Sequence, residues 1–115
     1  MLMTILSDRI EVDSRDFYEE DILIRDFLGI HQRPSRAIAI LAGKYEGDVR
    51  ISYGSCEADA KSEMEVMLLS VIGGETVRLK VSKKYENYFS VANNIISLMS
   101  SELMTPISTI LVSTN

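Results

Sequence analysis

The sequence contains very few of the residues that build metal sites and covalent frameworks. Its 115 residues include one cysteine, one histidine and no tryptophan. A disulfide within the chain needs two cysteines, so Cys56 cannot form one, which fits a reducing compartment. One histidine and one cysteine are also too few for a structural zinc site, and we expect neither a metal nor another cofactor. No apolar run approaches the ~20 residues of a membrane-spanning helix.

Positive charge is also scarce, because 12 Lys and Arg residues stand against 17 Asp and Glu residues, for a net charge of −5. Nucleic-acid binding rewards a basic face, so we expect no nucleic-acid partner. The first ten residues show no basic stretch leading into an apolar run. We therefore expect no signal peptide, no membrane insertion and a cytoplasmic location.

The chain divides into an acidic beginning, a patterned centre and a short tail. Residues 1–20 are acidic and irregular, which predicts an N-terminal extension with at most one short strand. Residues 21–103 are predicted to form one folded domain, and the 46% hydrophobic content is ordinary for a globular chain. Residues 104–115 are predicted to be a C-terminal tail that packs as an extra strand or frays.

Apolar spacing within the domain predicts alternating strands and helices. The first strand is expected at residues 21–27, followed by a helix with Pro34 in its first turn and an end near Gly47. The later elements are expected as strands at 49–53, 56–60 and 77–81, a short helix at 62–69 and a long helix at 86–103. This order predicts an α+β two-layer sandwich with a mostly antiparallel sheet and helices on one face. The strand pattern places Cys56 on the apolar face, which predicts a buried, inert thiol.

His31 lies between the strand-breaking Gly29 and the helix-starting Pro34. Such a junction favours anions, because the first N–H groups of a helix are unpaired and its dipole adds positive potential. Arg33 can grip two oxygens of a phosphoryl group, so the arrangement suits a phosphohistidine. A polar loop residue beside a helix cap explains His31 equally well, and the residues themselves leave both interpretations open.

Two segments resemble the HPr family, the histidine-containing phosphocarriers of the bacterial phosphoenolpyruvate-dependent sugar phosphotransferase system. The segment 29–35, with the sequence Gly-Ile-His-Gln-Arg-Pro-Ser, is similar to the family's Gly-Leu-His-x-Arg-Pro-Ala. The segment 60–69, Ala-Lys-Ser-Glu-Met-Glu-Val-Met-Leu-Leu, resembles its Lys-Ser-Ile-Met-Gly-Val-Met. The resemblance implies an open-faced sandwich in which a four-stranded antiparallel sheet lies under three helices.

The resemblance also implies a role for particular residues. His31 would accept a phosphoryl group on Nδ1 from phosphorylated enzyme I and pass it to enzyme II components such as enzyme IIA. Arg33 and the N–H groups of Gln32 and Arg33 would hold the phosphoryl oxygens. Ser62 would be phosphorylated by an HPr kinase/phosphorylase, and Met64 and Met67 would belong to the surface that docks with partners. The chain would be a phosphoryl carrier, with no turnover of its own.

Each of these roles has a structural alternative. Ser62 begins a Ser-x-x-Glu capping box and can simply cap its helix. Met64 and Met67 share one helix face and can be core residues. Arg36 and Glu63 depart from the family pattern. Arg36 either adds positive potential to the site or is solvated, and Glu63 is expected to weaken docking on an apolar groove. The alternative function is a regulatory binding module controlled at Ser62, with little or no role in sugar transport.

Overall fold

A computed structural model describes residues 16–102 of the chain, in which four strands alternate with three helices. The predicted element order is confirmed. The elements are β1 (Phe17–Leu23), α1 (Gln32–Ala42), β2 (Val49–Tyr53), β3 (Cys56–Asp59), α2 (Glu63–Leu68), β4 (Thr76–Ser82) and α3 (Tyr88–Met99).

The strands form one antiparallel sheet in the order β1-β4-β2-β3. α3 packs on β1 and β4, α2 packs on β3, and α1 contacts both other helices. The apolar residues between the two layers form a single core. Its fully or nearly fully buried members include Ile22, Ile24, Ile38, Tyr45, Val49, Ile51, Val66, Leu79, Val81, Ile95 and Met99. The open-faced two-layer sandwich is therefore confirmed.

The opposite face of the sheet carries ion pairs between strands, one between the neighbours β1 and β4 and one that spans β2 to join β4 and β3. Arg78 of β4 donates to Asp21 of β1 at 2.8 Å, and this bond lowers the pKa of the Asp21 carboxyl. Lys80 donates to Glu57 of β3 at 2.9 Å, which lowers the pKa of Glu57 in the same way. Exposed pairs of this kind add little stability, but they suit a sheet face that contacts water.

The first strand lies earlier than the sequence predicts. It begins at Phe17, inside the predicted extension, and it ends at Leu23 instead of reaching Phe27. The chain turns after Ile24 because Asp26 accepts hydrogen bonds from Leu28 N at its side chain and from Gly29 N at its carbonyl. The prediction of a strand to Phe27 is wrong because this turn uses the backbone groups that a ladder would need.

The prediction of a buried Cys56 is also wrong, since its thiol is exposed. Cys56 alternates with the buried Ala58 as expected, but it is paired with Tyr53 beside the Gly54-Ser55 turn, at the end of the hairpin. The helix bounds differ as well. α1 ends at Ala42 with Gly43 as its C-cap, and α3 spans 88–99 instead of 86–103.

Two predicted regions lie largely or wholly outside the described residues. These are positions 1–15 of the N-terminal extension and the tail at 104–115. The domain bounds at 20 and 103 therefore stay predictions. Across residues 16–102, the structure contains no helix that is long and apolar enough to cross a membrane.

The phenol of Tyr45 ties the loop after α1 to the end of β4. The ring is 1% exposed, and its hydroxyl donates to the Ser82 carbonyl and accepts from Tyr85 N at 3.1 Å. Burial raises the pKa of the Tyr45 phenol. The hydroxyl therefore keeps its proton, and with it its role as a donor, at neutral pH.

We predict that Tyr45→Phe lowers the free energy of unfolding by about 1–3 kcal/mol, because the buried Ser82 carbonyl and the partly buried Tyr85 N–H each lose a hydrogen bond to the phenol. Tyr53→Phe is the matched control, since the Tyr53 hydroxyl bonds the side chain of Glu75 at 3.2 Å in a half-buried position. Its expected loss is below about 0.5 kcal/mol. Urea unfolding measures both values, and equal losses would contradict the role given to Tyr45.

Candidate functional site: the His31 end of the first helix

His31 is the N-cap of α1 and is half-buried, with an extended backbone at φ −103° and ψ −161°. The N–H groups of Gln32 and Arg33 lie in the first turn of α1, where no earlier helical carbonyl can accept from them. They are therefore available to a ligand. Pro34 lies in the first turn, as predicted, and has no N–H to satisfy. The first turn of α1, which the structure describes in full, contains no acidic residue. The imidazole thus stands at the positive end of a helix.

The loop before His31 is held by close backbone packing. Ile30 N donates to the Val71 carbonyl at 2.9 Å, and Ile30 itself is 2% exposed. Gly29 has a positive φ of 74°, and a Cβ there would lie 2.2 Å from the Val71 oxygen. Gly73 approaches the other end of the loop, where a Cβ would lie 2.6 Å from the Asp26 oxygen. Two glycines therefore allow the contact that places His31.

Four side chains line one depression at this helix end: His31, Gln32, Arg33 and Arg36. Its volume is about 420 Å³ and it opens to solvent. The structure thus brings together His31 and Arg33, the two residues predicted to handle a phosphoryl group. It adds Arg36, for which the sequence left a choice between the site and solvent.

Ser35 is a site residue whose role the sequence does not indicate. It is fully buried, and its Oγ donates to the His31 carbonyl at 2.6 Å while its N–H donates to the same oxygen at 2.9 Å. Two hydrogen bonds therefore fix the peptide that carries the imidazole. A hydroxyl four residues after the histidine was the available signal, since such side chains often bond the preceding turn.

Ser62 caps α2, as the capping pattern predicts. Its Oγ accepts from Glu65 N at 3.2 Å. The reciprocal bond of a capping box, from Ser62 N to the Glu65 side chain, is not formed. Instead, Glu65 Oε1 accepts from Asp59 N at 2.9 Å and Ser62 N donates to the Asp59 carbonyl. The Ser62 side chain is partly exposed. Capping and modification are thus both compatible with its position.

A charged contact joins the two predicted phosphorylation segments. Arg36 Nε of α1 donates to Glu63 Oε1 of α2 at 3.4 Å. The Arg36 side chain is 71% exposed and the Glu63 side chain 32%. Both residues depart from the family pattern, and the fold places them against each other.

Met64 and Met67 are exposed by 65% and 37%, so they are not core residues. The core position of α2 belongs to Val66, which is fully buried. Further apolar side chains are exposed on α2 and on the two loops that pack beside His31. They are Phe27, Leu28, Leu68 and Ile72. An apolar surface of this kind is typical of sites that contact other proteins.

The sequence comparisons point to one family. A family model described as the PTS HPr component phosphorylation site matches residues 18–101. The chain is 39% identical over 62 residues to a phosphocarrier protein HPr of Cupriavidus necator, covering 54% of this chain and 70% of that protein. It is 31% identical over 61 residues to a phosphocarrier protein NPr of Shewanella violacea, covering 53% of this chain and 67% of that protein.

Solved structures show the same fold. The crystal structure of HPr-C-His from Thermoanaerobacter tengcongensis superposes with a TM-score of 0.68 at 24% identity, covering 77% of this chain and 98% of that one. A phosphocarrier protein HPr from Bacillus anthracis superposes with a TM-score of 0.65 at 16% identity, covering 72% and 96%. At these identities the likeness establishes the architecture.

We predict that Gly29→Ala lowers the free energy of unfolding by about 2–4 kcal/mol, because the new methyl group would overlap the Val71 carbonyl and force the loop away. Urea unfolding measures the loss. The His31 backbone amide should also change its NMR chemical shift, because the displaced loop ends at this residue.

Gly54→Ala is the matched control. Gly54 has a similar positive φ of 62°, but a Cβ there would meet nothing within 4 Å. Its expected loss is about 1 kcal/mol, from the left-handed backbone alone. Equal losses in the two variants would show that the close approach at Gly29 does not matter.

Proposed function

Since this chain belongs to the HPr family of phosphocarrier proteins of the phosphotransferase system, we propose that His31 is the residue that carries its phosphoryl group. The observation that supports this proposal is the position of the imidazole, at the positive end of α1 and in one depression with Arg33. A helix N-terminus and a guanidinium both stabilise a phosphoryl dianion.

The transfer needs one nucleophilic nitrogen and no cofactor. The lone pair of His31 Nδ1 attacks phosphorus of phosphorylated enzyme I. The bond between phosphorus and the donor nitrogen breaks, and its electron pair returns to the donor. Arg33 Nη groups and the N–H groups of Gln32 and Arg33 take the phosphoryl oxygens, which gain no net charge in the exchange. The reverse sequence delivers the group to an acceptor such as enzyme IIA.

The partners dock, in this proposal, on the surface that surrounds His31. Met64 and Met67 project from α2, which packs against α1, and a flexible thioether adapts to more than one partner surface. Enzyme I and enzyme IIA, acting in the cytoplasm, are the proposed donor and acceptor. The chain acts as a carrier, because its site holds one imidazole and leaves the second reacting group to the partner.

We predict that enzyme I with phosphoenolpyruvate adds about 80 Da to the protein, the mass of one phosphoryl group, as an acid-labile adduct. His31→Ala should abolish the adduct. Arg33→Ala should slow its formation about tenfold or more, because a charge-assisted contact to the phosphoryl oxygens is lost. Intact-mass spectrometry over a time course measures all three proteins.

Arg50→Ala is the charge-matched control, since Arg50 lies in β2, on the sheet, and pairs with Asp48 at 3.9 Å. It should leave the rate of transfer unchanged. An adduct that forms equally well on His31→Ala would contradict the assignment, and no adduct on the wild-type protein would rule out this relay.

A second candidate function is a regulatory module controlled at Ser62. It is favoured by Glu63, whose carboxylate lies within the proposed docking surface and is paired with Arg36. An HPr kinase/phosphorylase would transfer the γ-phosphoryl group of ATP to Ser62 Oγ, with ADP as the leaving group and loss of the hydroxyl proton. The new dianion would stand beside Glu63 and Glu65, so it would increase the negative charge on α2.

For this second candidate we predict an acid-stable adduct of about 80 Da after incubation with HPr kinase/phosphorylase and ATP. Ser62→Ala should abolish it, whereas Ser55→Ala, which removes an exposed hydroxyl from the β2–β3 turn, should retain it. Intact-mass spectrometry gives the result. A Ser62→Ala protein that is modified as well as the wild type would exclude Ser62 as the regulatory site.

A further inference from the structure

Arg36 faces the depression that holds His31, although the site as proposed above does not use it. Residues three and four positions apart lie on one face of a helix, so Arg36 is a neighbour of Arg33 and of Gln32. All three line the depression together with the imidazole. Arg36 is therefore placed where a group bound at His31 would meet it, and not only solvent.

The contact with Glu63 engages one edge of the Arg36 guanidinium. Nε donates to Glu63 Oε1 at 3.4 Å, and within residues 16–102 no other side chain bonds Arg36. A guanidinium has five N–H donors in a planar fork. The terminal Nη groups, which carry four of them, therefore stay available for a second anion.

The two arginines repel each other, because like charges three positions apart on a helix are unfavourable. Glu63 offsets part of this repulsion from α2 and anchors the Arg36 side chain at Nε. A phosphoryl dianion on His31 would offset the rest. Arg36 and Glu63, which both depart from the family pattern, thus fit one role at the phosphoryl site.

We propose that Arg36 is a second phosphoryl-binding guanidinium, which Glu63 orients toward the group carried by His31. This inference rests on the proposed function of His31. Arg36 then reaches the phosphoryl oxygens through its Nη groups, while Arg33 and the helix N–H groups bind them from the first turn.

The test loads the phosphoryl group without enzyme I. Potassium phosphoramidate transfers its phosphoryl group to the imidazole: a P–N bond forms on His31, the P–N bond of the reagent breaks, and ammonia leaves. His31 is the one histidine of the chain, so a phosphohistidine signal can come only from this residue, and ³¹P coupling to ¹⁵N identifies the Nδ1 adduct. The pH dependence of its ³¹P chemical shift gives the pKa of the phosphoryl group.

Arg36→Ala should raise this phosphoryl pKa by about 0.2–0.7 unit, because the dianion loses a neighbouring cation whose effect is reduced by its exposure to solvent. Lys44→Ala is the matched control. It removes the same charge beyond the far end of α1, at a distance greater than the ~8 Å over which salt screens, and should leave the pKa unchanged. Glu63→Gln removes the negative charge but keeps an oxygen that can accept from Arg36 Nε, so it should lower the pKa while leaving Arg36 oriented.

The shift must also appear when Arg36→Ala is added to Glu63→Gln, where no carboxylate is left unpaired. A shift that vanishes in that background would mean that Arg36 only neutralises Glu63, and it would overturn the proposal. So would equal pKa values in the Arg36→Ala and Lys44→Ala proteins, or a failure of His31 to take up the group from phosphoramidate. A chemical adduct with the expected shift, but no transfer from enzyme I, would contradict the relay and leave the Arg36 site standing.

Discussion

The close approach of two loops is the constraint on which the rest of the site depends. The segment 24–30 lies directly against the segment 71–75, and three backbone hydrogen bonds between 2.8 and 2.9 Å join them: Ile30 N to Val71 O, Ile24 N to Glu75 O and Gly74 N to Ile24 O. The two bonds of Ile24 continue the pairing of β1 with β4 beyond the end of β1. The chain therefore leaves the sheet in one direction, buries Ile30 and enters α1 with His31 at its N-terminus.

This arrangement separates the charge of the site from the charge of the chain. The protein is acidic overall, yet residues 31–36 hold two arginines and no acidic residue. The acidic side chains of β1 are used on the open face of the sheet, where Asp21 and Glu19 pair with Arg78. At the site itself, Glu63 is a neighbour from α2 that binds Arg36 by its edge. The site needs few reactive side chains, because a carrier relies on its partners for the other half of each transfer.

Much of the fold could be predicted from apolar periodicity, because β2, β4 and both long helices bury one regular stripe. β1 could not be placed in the same way, because its acidic residues resemble a solvated arm in the sequence. Only the folded sheet shows that Arg78 of β4 pairs with them. The turn at Asp26 depends on side-chain hydrogen bonds that periodicity does not encode. Cys56 has the alternation of a buried residue, but it lies at the end of the hairpin and is exposed. How far the helices cover the sheet is set by tertiary packing, which periodicity does not encode.

The candidate site shows the same division. The positions of His31, Arg33 and Ser62 at helix starts could be predicted, because each belongs to a local sequence pattern, and their roles stay predictions. The Arg36–Glu63 contact could not be predicted, since it joins residues 27 positions apart, and Ser35 was missed because its partner is a backbone oxygen.

A phosphoryl group on Nδ1 of His31, at the N-terminus of α1, is tested most directly by NMR of ¹⁵N-labelled protein phosphorylated by enzyme I. We expect ³¹P coupling to the Nδ1 nitrogen, with the largest amide shifts at Gln32 and Arg33. Coupling to Nε2, or unchanged amides in the first turn of α1, would contradict this assignment.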